Sequence, residues 1–198
     1  MTEPSDKIDP KIVQADMQHW LERAVIGLNL CPFAKGVHVK GQVHYVVSTA
    51  TRPEDLRAEL RQELQDLRSE DPQVRDTTLL MVPLCLQDFL DFNDFLDEAD
   101  AVLTELGLEG ELQIASFHPQ FQFAGTELDD ITNFTNRAPY PTLHLLREAS
   151  IDSAVEAFPQ AETIFEKNME TLERLGHEGW SALDVGPHSP AGKVGASS

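Results

Sequence analysis

Apolar residues return at three- and four-residue intervals near the start of the chain, through Ile12, Val13, Met17, Trp20, Leu21, Ala24, Val25 and Leu28. That spacing predicts a helix with one buried stripe. Asp9 and Pro10 suit its first turn, and it should run to about Leu30, where Pro32 stops it and leaves Cys31 at the helix exit. The period then changes. Val43–Ala50 is rich in β-branched residues and reads as a strand, with His44, Val46 and Ser48 on one side and Tyr45 and Val47 on the other.

Pro53 opens a second helix, whose Leu56, Leu60, Leu64 and Leu67 make a narrow stripe opposite a face of mixed charge. Thr77–Cys85 is almost continuously apolar, as a central strand covered on both faces should be. From Asp88 a third helix carries Phe89, Phe92, Phe95, Leu96, Ala99, Val102, Leu103 and Leu106, and Gly107 ends it. Its aromatic stripe is read as core, with a groove for a partner as the competing use. Leu112–Phe117 is a third strand and Thr142–Leu146 a fourth. Ile151–Phe158 and Ala161–Leu175 read as closing helices separated by Pro159, and beyond Gly186 the composition becomes that of a disordered tail over 187–198.

Strands and helices alternate through most of the chain. The expected fold is therefore α/β: one domain over 1–186, with about four mostly parallel strands in a single layer packed by helices. With 198 residues, 41% of them apolar, the chain can bury one sizeable core.

Charge narrows the function classes. Thirty-four acidic residues against 15 basic give a formal net charge of -19, which repels phosphate backbones and anionic lipid, so neither nucleic acid nor membrane is an expected partner. The amino terminus lacks the basic and apolar regions of a secretory signal, and no apolar run approaches membrane-spanning length. Two cysteines are too few for a disulfide framework. The expectation is a soluble cytoplasmic protein with reduced thiols. There is no glycine-rich phosphate loop, CxxC, GxSxG or HExxH.

Candidate chemistry concentrates in one stretch, Ser116–Glu148, where Pro119, Pro139 and Pro141 constrain the backbone among aromatic and polar residues. A long loop of this kind on a compact domain is more often a binding segment than a plain connector. Glu127–Arg137 could hold a short helix with Asp129, Asn133 and Arg137 on one face. His118 directly follows a strand, where ligands of open α/β sheets bind, and Cys85 ends another; neighbouring strands would bring the two to one mouth.

Three chemistries follow. A divalent transition metal (zinc, iron or manganese) would take His118, Asp129, Asp130 and His144 as nitrogen and oxygen ligands. A catalytic set would use His118 as general base with Asp130 assisting and Cys31 as nucleophile, although a helix exit disfavours a thiolate. An anionic small molecule would find Arg137, Arg147, Asn133 and Asn136. The plain alternative for each is internal: strand-end histidines capping carbonyls, arginines in ion pairs, asparagines bonding their own loop. The leading reading is a small-molecule enzyme of hydrolase or oxidoreductase type, and the rival a binding or interaction domain with an acidic surface.

Three segments carry a resemblance: LNLCPFA at Leu28–Ala34, FHPQFQFAG at Phe117–Gly125 and NFTNRAPYPTLHLLRE at Asn133–Glu148. In these the sequence resembles a bacterial family known as domain of unknown function 1415, over Pro10 to about Asp184. The resemblance implies that Cys31 and the central loop belong to one signature, and it assigns no catalytic residue.

Overall fold

The computed structural model describes residues 8–158 and 160–188. Helix α1 (Pro10–Trp20) begins where expected, with the Asp9 side chain accepting the Lys11 N–H. It does not continue to Leu30 as a regular helix. A wider turn follows over Leu21–Ile26, in which Gly27 N–H reaches back to the Glu22 carbonyl. That widening carries the Arg23 carbonyl to within 2.3 Å of where a Cβ on residue 27 would lie, so only glycine fits. A short helix α2 (Ala34–Val39) comes next, and Cys31 stands before it as well as after the longer helix.

The remaining elements are β1 (Val43–Val47), α3 (Pro53–Ser69), β2 (Thr77–Met81), α4 (Phe89–Leu106), β3 (Leu112–Phe117), β4 (Thr142–Arg147), α5 (Glu148–Ala157) and α6 (Ile164–Ser181). Within α6, Gly176 adopts φ 65°, which kinks the helix. Strand β2 ends at Met81 and not at Cys85, since Pro83 has no N–H to offer a ladder and Leu86 sits at φ 56°. The Pro159 break and the tail from 189 onward lie outside the described residues. Pro187 and His188, which the composition assigned to that tail, are built into the fold, for His188 bonds to Asp16.

Four strands form one sheet in the order β1-β2-β4-β3. Only β1 and β2 pair in parallel; β4 lies between β2 and β3 and runs antiparallel to both. The expected α/β class therefore holds, and the expected mostly parallel pairing does not. β1, β2 and β3 do point the same way, but the returning strand separates two of them. Crossover helices connect parallel neighbours, whereas an antiparallel strand needs none.

Side chains alternate across the sheet as the pleat requires. On one face Leu80, Val82, Leu112, Leu143 and Leu145 pack with Leu56, Leu60, Leu64 and Leu67 of α3 and with Phe92, Phe95, Ala99 and Val102 of α4. The leucines of α3 are each 0% exposed, which stabilises by about 1.5–3 kcal/mol apiece. The phenylalanine stripe of α4 is thus core. On the other face Leu79, Met81 and Tyr140 pack with Val13, Met17, Trp20 and Ala24.

Candidate functional site

Met81, Thr142 and Phe117 are register partners across three strands. The chain therefore leaves β2, leaves β3 and enters β4 at the same end of the sheet. A cleft of about 680 Å³ opens there. Its walls are Gln87 and Asp88 after β2, Pro119 and Gln120 after β3, Phe134 and Arg137–Pro139 before β4, Trp20 of α1, and Trp180, Ser181 and residues 184–187 at the end of α6. The chain has two tryptophans, and both line this cleft.

His118 ties the lining segments together. Its backbone N–H donates to the Asn136 carbonyl (3.1 Å), which holds the segment before β4. Its Nδ1 accepts the Gln120 N–H (3.0 Å), and its Nε2–H donates to the Leu86 carbonyl (3.1 Å), one residue beyond Cys85. That bonding assigns the neutral Nε2–H tautomer. The side chain is 0% exposed and lies against Phe89 and Phe92. Burial lowers its pKa to about 4, more than the Leu86 carbonyl and the nearby Asp88 carboxylate raise it. His118 is a brace, with no nitrogen free for a substrate or a metal.

The loop from 121 to 137 is a closed network. Instead of a helix over Glu127–Arg137, one tight turn of 3₁₀ type spans Ile131–Asn136, with the Asp130 carboxylate accepting the Thr132 N–H and hydroxyl at its start. Buried Asn133 accepts the Phe123 N–H (3.0 Å) and donates to the Glu127 carbonyl (2.9 Å). Asn136 donates to the Ser116 carbonyl. Arg137 donates from Nε to the Phe121 carbonyl and from Nη2 to the Leu128 carbonyl, and its guanidinium lies 4.3 Å over the Phe134 ring. Asp129 is exposed. Of the predicted set only Arg137 faces the cleft as well as the loop.

Other candidates lie elsewhere. His144 pairs with Leu79 and Ala115 in mid-sheet, its Nε2 2.7 Å from the Thr77 hydroxyl and its ring against Phe117; burial pushes its pKa down to about 4. Arg147 is at the far end of the sheet, opposite Leu112, where Nη2 donates to the carbonyls of Leu67, Glu70 and Arg75. It clasps the end of α3, whose free carbonyls attract a cation. The metal quartet His118, Asp129, Asp130 and His144 is therefore not brought together, and among the described residues no three His, Cys, Asp or Glu side chains group as metal ligands. Strand alternation and the internal bonds of Asp130 and His118 separate them.

Cys31 receives the N–H groups of Phe33 and Ala34, a favourable contact for a thiolate, but burial outweighs it and the thiol pKa is raised. Cys85 is buried, with its thiol pushed up to about 11.

One polar cluster was missed by the sequence reading. Asp16, 7% exposed, accepts the Tyr140 hydroxyl (2.6 Å), the His188 N–H (2.8 Å) and His188 Nδ1 (2.7 Å). The signal was present: an acid at position 16 falls on the apolar stripe of Val13, Met17 and Trp20.

Comparison with known proteins gives one result. Residues 12–182 match a family described as protein of unknown function, DUF1415. The chain belongs to that family. No curated protein and no solved structure matches the chain. The DUF1415 region takes in the whole sheet, His118 and most of the cleft, including Trp20, Asp88, Arg137 and Trp180, whereas the lining at 184–187 falls beyond it.

Proposed function

We propose that this DUF1415 protein binds a small organic molecule in the cleft at the ends of β2 and β3, with an anionic group of the ligand against Arg137. One observation carries the reading. A concavity of about 680 Å³, within the usual size of ligand pockets, is walled by five separate stretches of chain and held open by a buried histidine that bonds to three of them. Arg137 Nη1 has no hydrogen bond among the described residues, which leaves one edge of a fixed guanidinium for an anion. A cytoplasmic setting suits the free thiols of Cys31 and Cys85, and the net charge of -19 argues against nucleic acid or anionic membrane as partner.

The test uses 1-anilinonaphthalene-8-sulfonate, an aromatic anion that accepts energy from tryptophan. Saturable binding at one site, with transfer from Trp20 and Trp180, is expected. Arg137→Met should weaken it at least tenfold, and Ser181→Phe, which fills the cleft from an exposed position, should abolish it without unfolding the protein. Binding unaffected by Ser181→Phe would overturn the assignment.

A second reading, catalysis, is favoured by His188. A buried carboxylate orients its ring through Nδ1, and Nε2 has no hydrogen bond among the described residues, the arrangement by which an imidazole is poised to take a proton from water. The probe is p-nitrophenyl acetate: hydrolysis above the buffer rate that falls in both His188→Ala and Asp16→Asn supports it, and a rate unchanged in both refutes it.

A further inference from the structure

The charges that line the cleft are mixed. Besides Arg137, two carboxylates face it, Asp88 and Asp184. Asp88 uses only Oδ1 to cap α4, accepting the Leu90 and Asp91 N–H groups, and Oδ2 takes no hydrogen bond among the described residues. Asp184 follows α6 at φ 54°, and its side chain forms no hydrogen bond among the described residues. Asp88 and Arg137 line the same cleft and act on the buried His118 ring with opposite sign, so one cleft holds a carboxylate and a guanidinium. Aromatic rings line the same cleft: Phe134 meets Trp180 edge-on at 5.1 Å, and Trp20 is anchored by its Nε1–H to the Arg137 carbonyl.

A simple anion gains from Arg137 but meets two carboxylates in the same cleft. A simple cation gains from the carboxylates but meets Arg137. A molecule carrying both charges, with an apolar body, satisfies every wall at once. We infer that the ligand is a zwitterion of the α-amino-acid type with a large apolar side chain, its carboxylate on Arg137, its ammonium toward Asp88 and Asp184, and its side chain among Trp20, Phe134 and Trp180. This rests on the cleft being a binding site and adds the class of ligand.

The experiment compares three probes that share one carbon skeleton: L-leucine, 4-methylpentanoate, which lacks the ammonium, and 3-methylbutylamine, which lacks the carboxylate. Binding to the full chain is read from tryptophan fluorescence and from displacement of anilinonaphthalene sulfonate. L-leucine is expected to bind at least tenfold more tightly than either analogue. Asp88→Asn, which keeps the helix cap, should remove that advantage and bring leucine to the level of 4-methylpentanoate. Equal binding of leucine and 4-methylpentanoate would overturn the zwitterion and leave the anion site standing. Silence of all three probes while the sulfonate still binds would overturn it too. If the sulfonate also failed to bind, the cleft reading itself would fall.

Discussion

Two histidines are held neutral inside this protein, and acid should find both. His118 and His144 have pKa values lowered to about 4 by burial, against about 6.5 in an unfolded chain. The unfolded state therefore binds protons that the folded state refuses. Their contribution is complete above pH 6.5 and is lost as the pH falls from 6.5 toward 4. Between pH 7 and pH 5 each ring should cost about 2 kcal/mol of stability, about 4 kcal/mol for the pair. Protonation of carboxylates acts in the opposite sense in so acidic a chain, because it relieves repulsion. Comparison with His144→Gln cancels that background, since glutamine still offers an N–H to the Thr77 hydroxyl and does not titrate. Urea unfolding at pH 7 and pH 5, at fixed ionic strength, should show the wild type losing about 2 kcal/mol more than the variant. Ring-proton NMR should place both titrations near 4 in the folded protein. Equal losses in wild type and variant, or a His118 titration near 6.5, would refute the burial argument.

Other consequences are quicker to check. Arg147→Met removes the donor shared by the Leu67, Glu70 and Arg75 carbonyls and should lower stability by about 2–4 kcal/mol in urea unfolding, while leaving sulfonate binding in the cleft intact. Gly27→Ala forces a Cβ against the Arg23 carbonyl and should cost about 1–3 kcal/mol in a thermal melt followed by circular dichroism; an unchanged melt would contradict the widened turn. Asp16→Ala removes the acceptor for the His188 N–H, and that amide should then exchange roughly tenfold faster or more.

The strands were legible because β-branched and apolar runs mark them, and each was found within a few residues of its observed place. Their direction was not legible from alternation alone. The clue was the connection after Phe117: it contains no helix of crossover length, only the turn at Ile131–Asn136, and such a loop returns the chain antiparallel. The central stretch was singled out as a binding segment, and most of its polar residues serve the loop itself. Asn133, Asn136 and Asp130 bond to backbone within reach along the chain, which short polar side chains do in any compact loop. His144 and Arg147 were drawn into the candidate list by proximity in sequence, and the strand carries them away from the mouth. Trp20 was read as one more apolar stripe residue, and nothing in helical spacing shows that its edge meets a cleft and bonds to the Arg137 carbonyl 117 positions away.

The position of β4 also governs how the chain can be assembled. The strand is fourth in sequence but stands between β2 and β3, so β3 has no partner and β2 only β1 until residues 142–147 exist. During synthesis the chain up to Phe117 offers a parallel pair whose β2 edge is open and a separate third strand, each exposing the backbone groups that β4 will later bond. Such edges invite pairing with other chains. Closure of the sheet is then a late, long-range event that spans more than sixty residues between Leu79 and His144, and it should set a slow folding rate for a protein of this size. A nascent chain stalled before Thr142 would aggregate, and one stalled after the ribosome has released Arg147 would not.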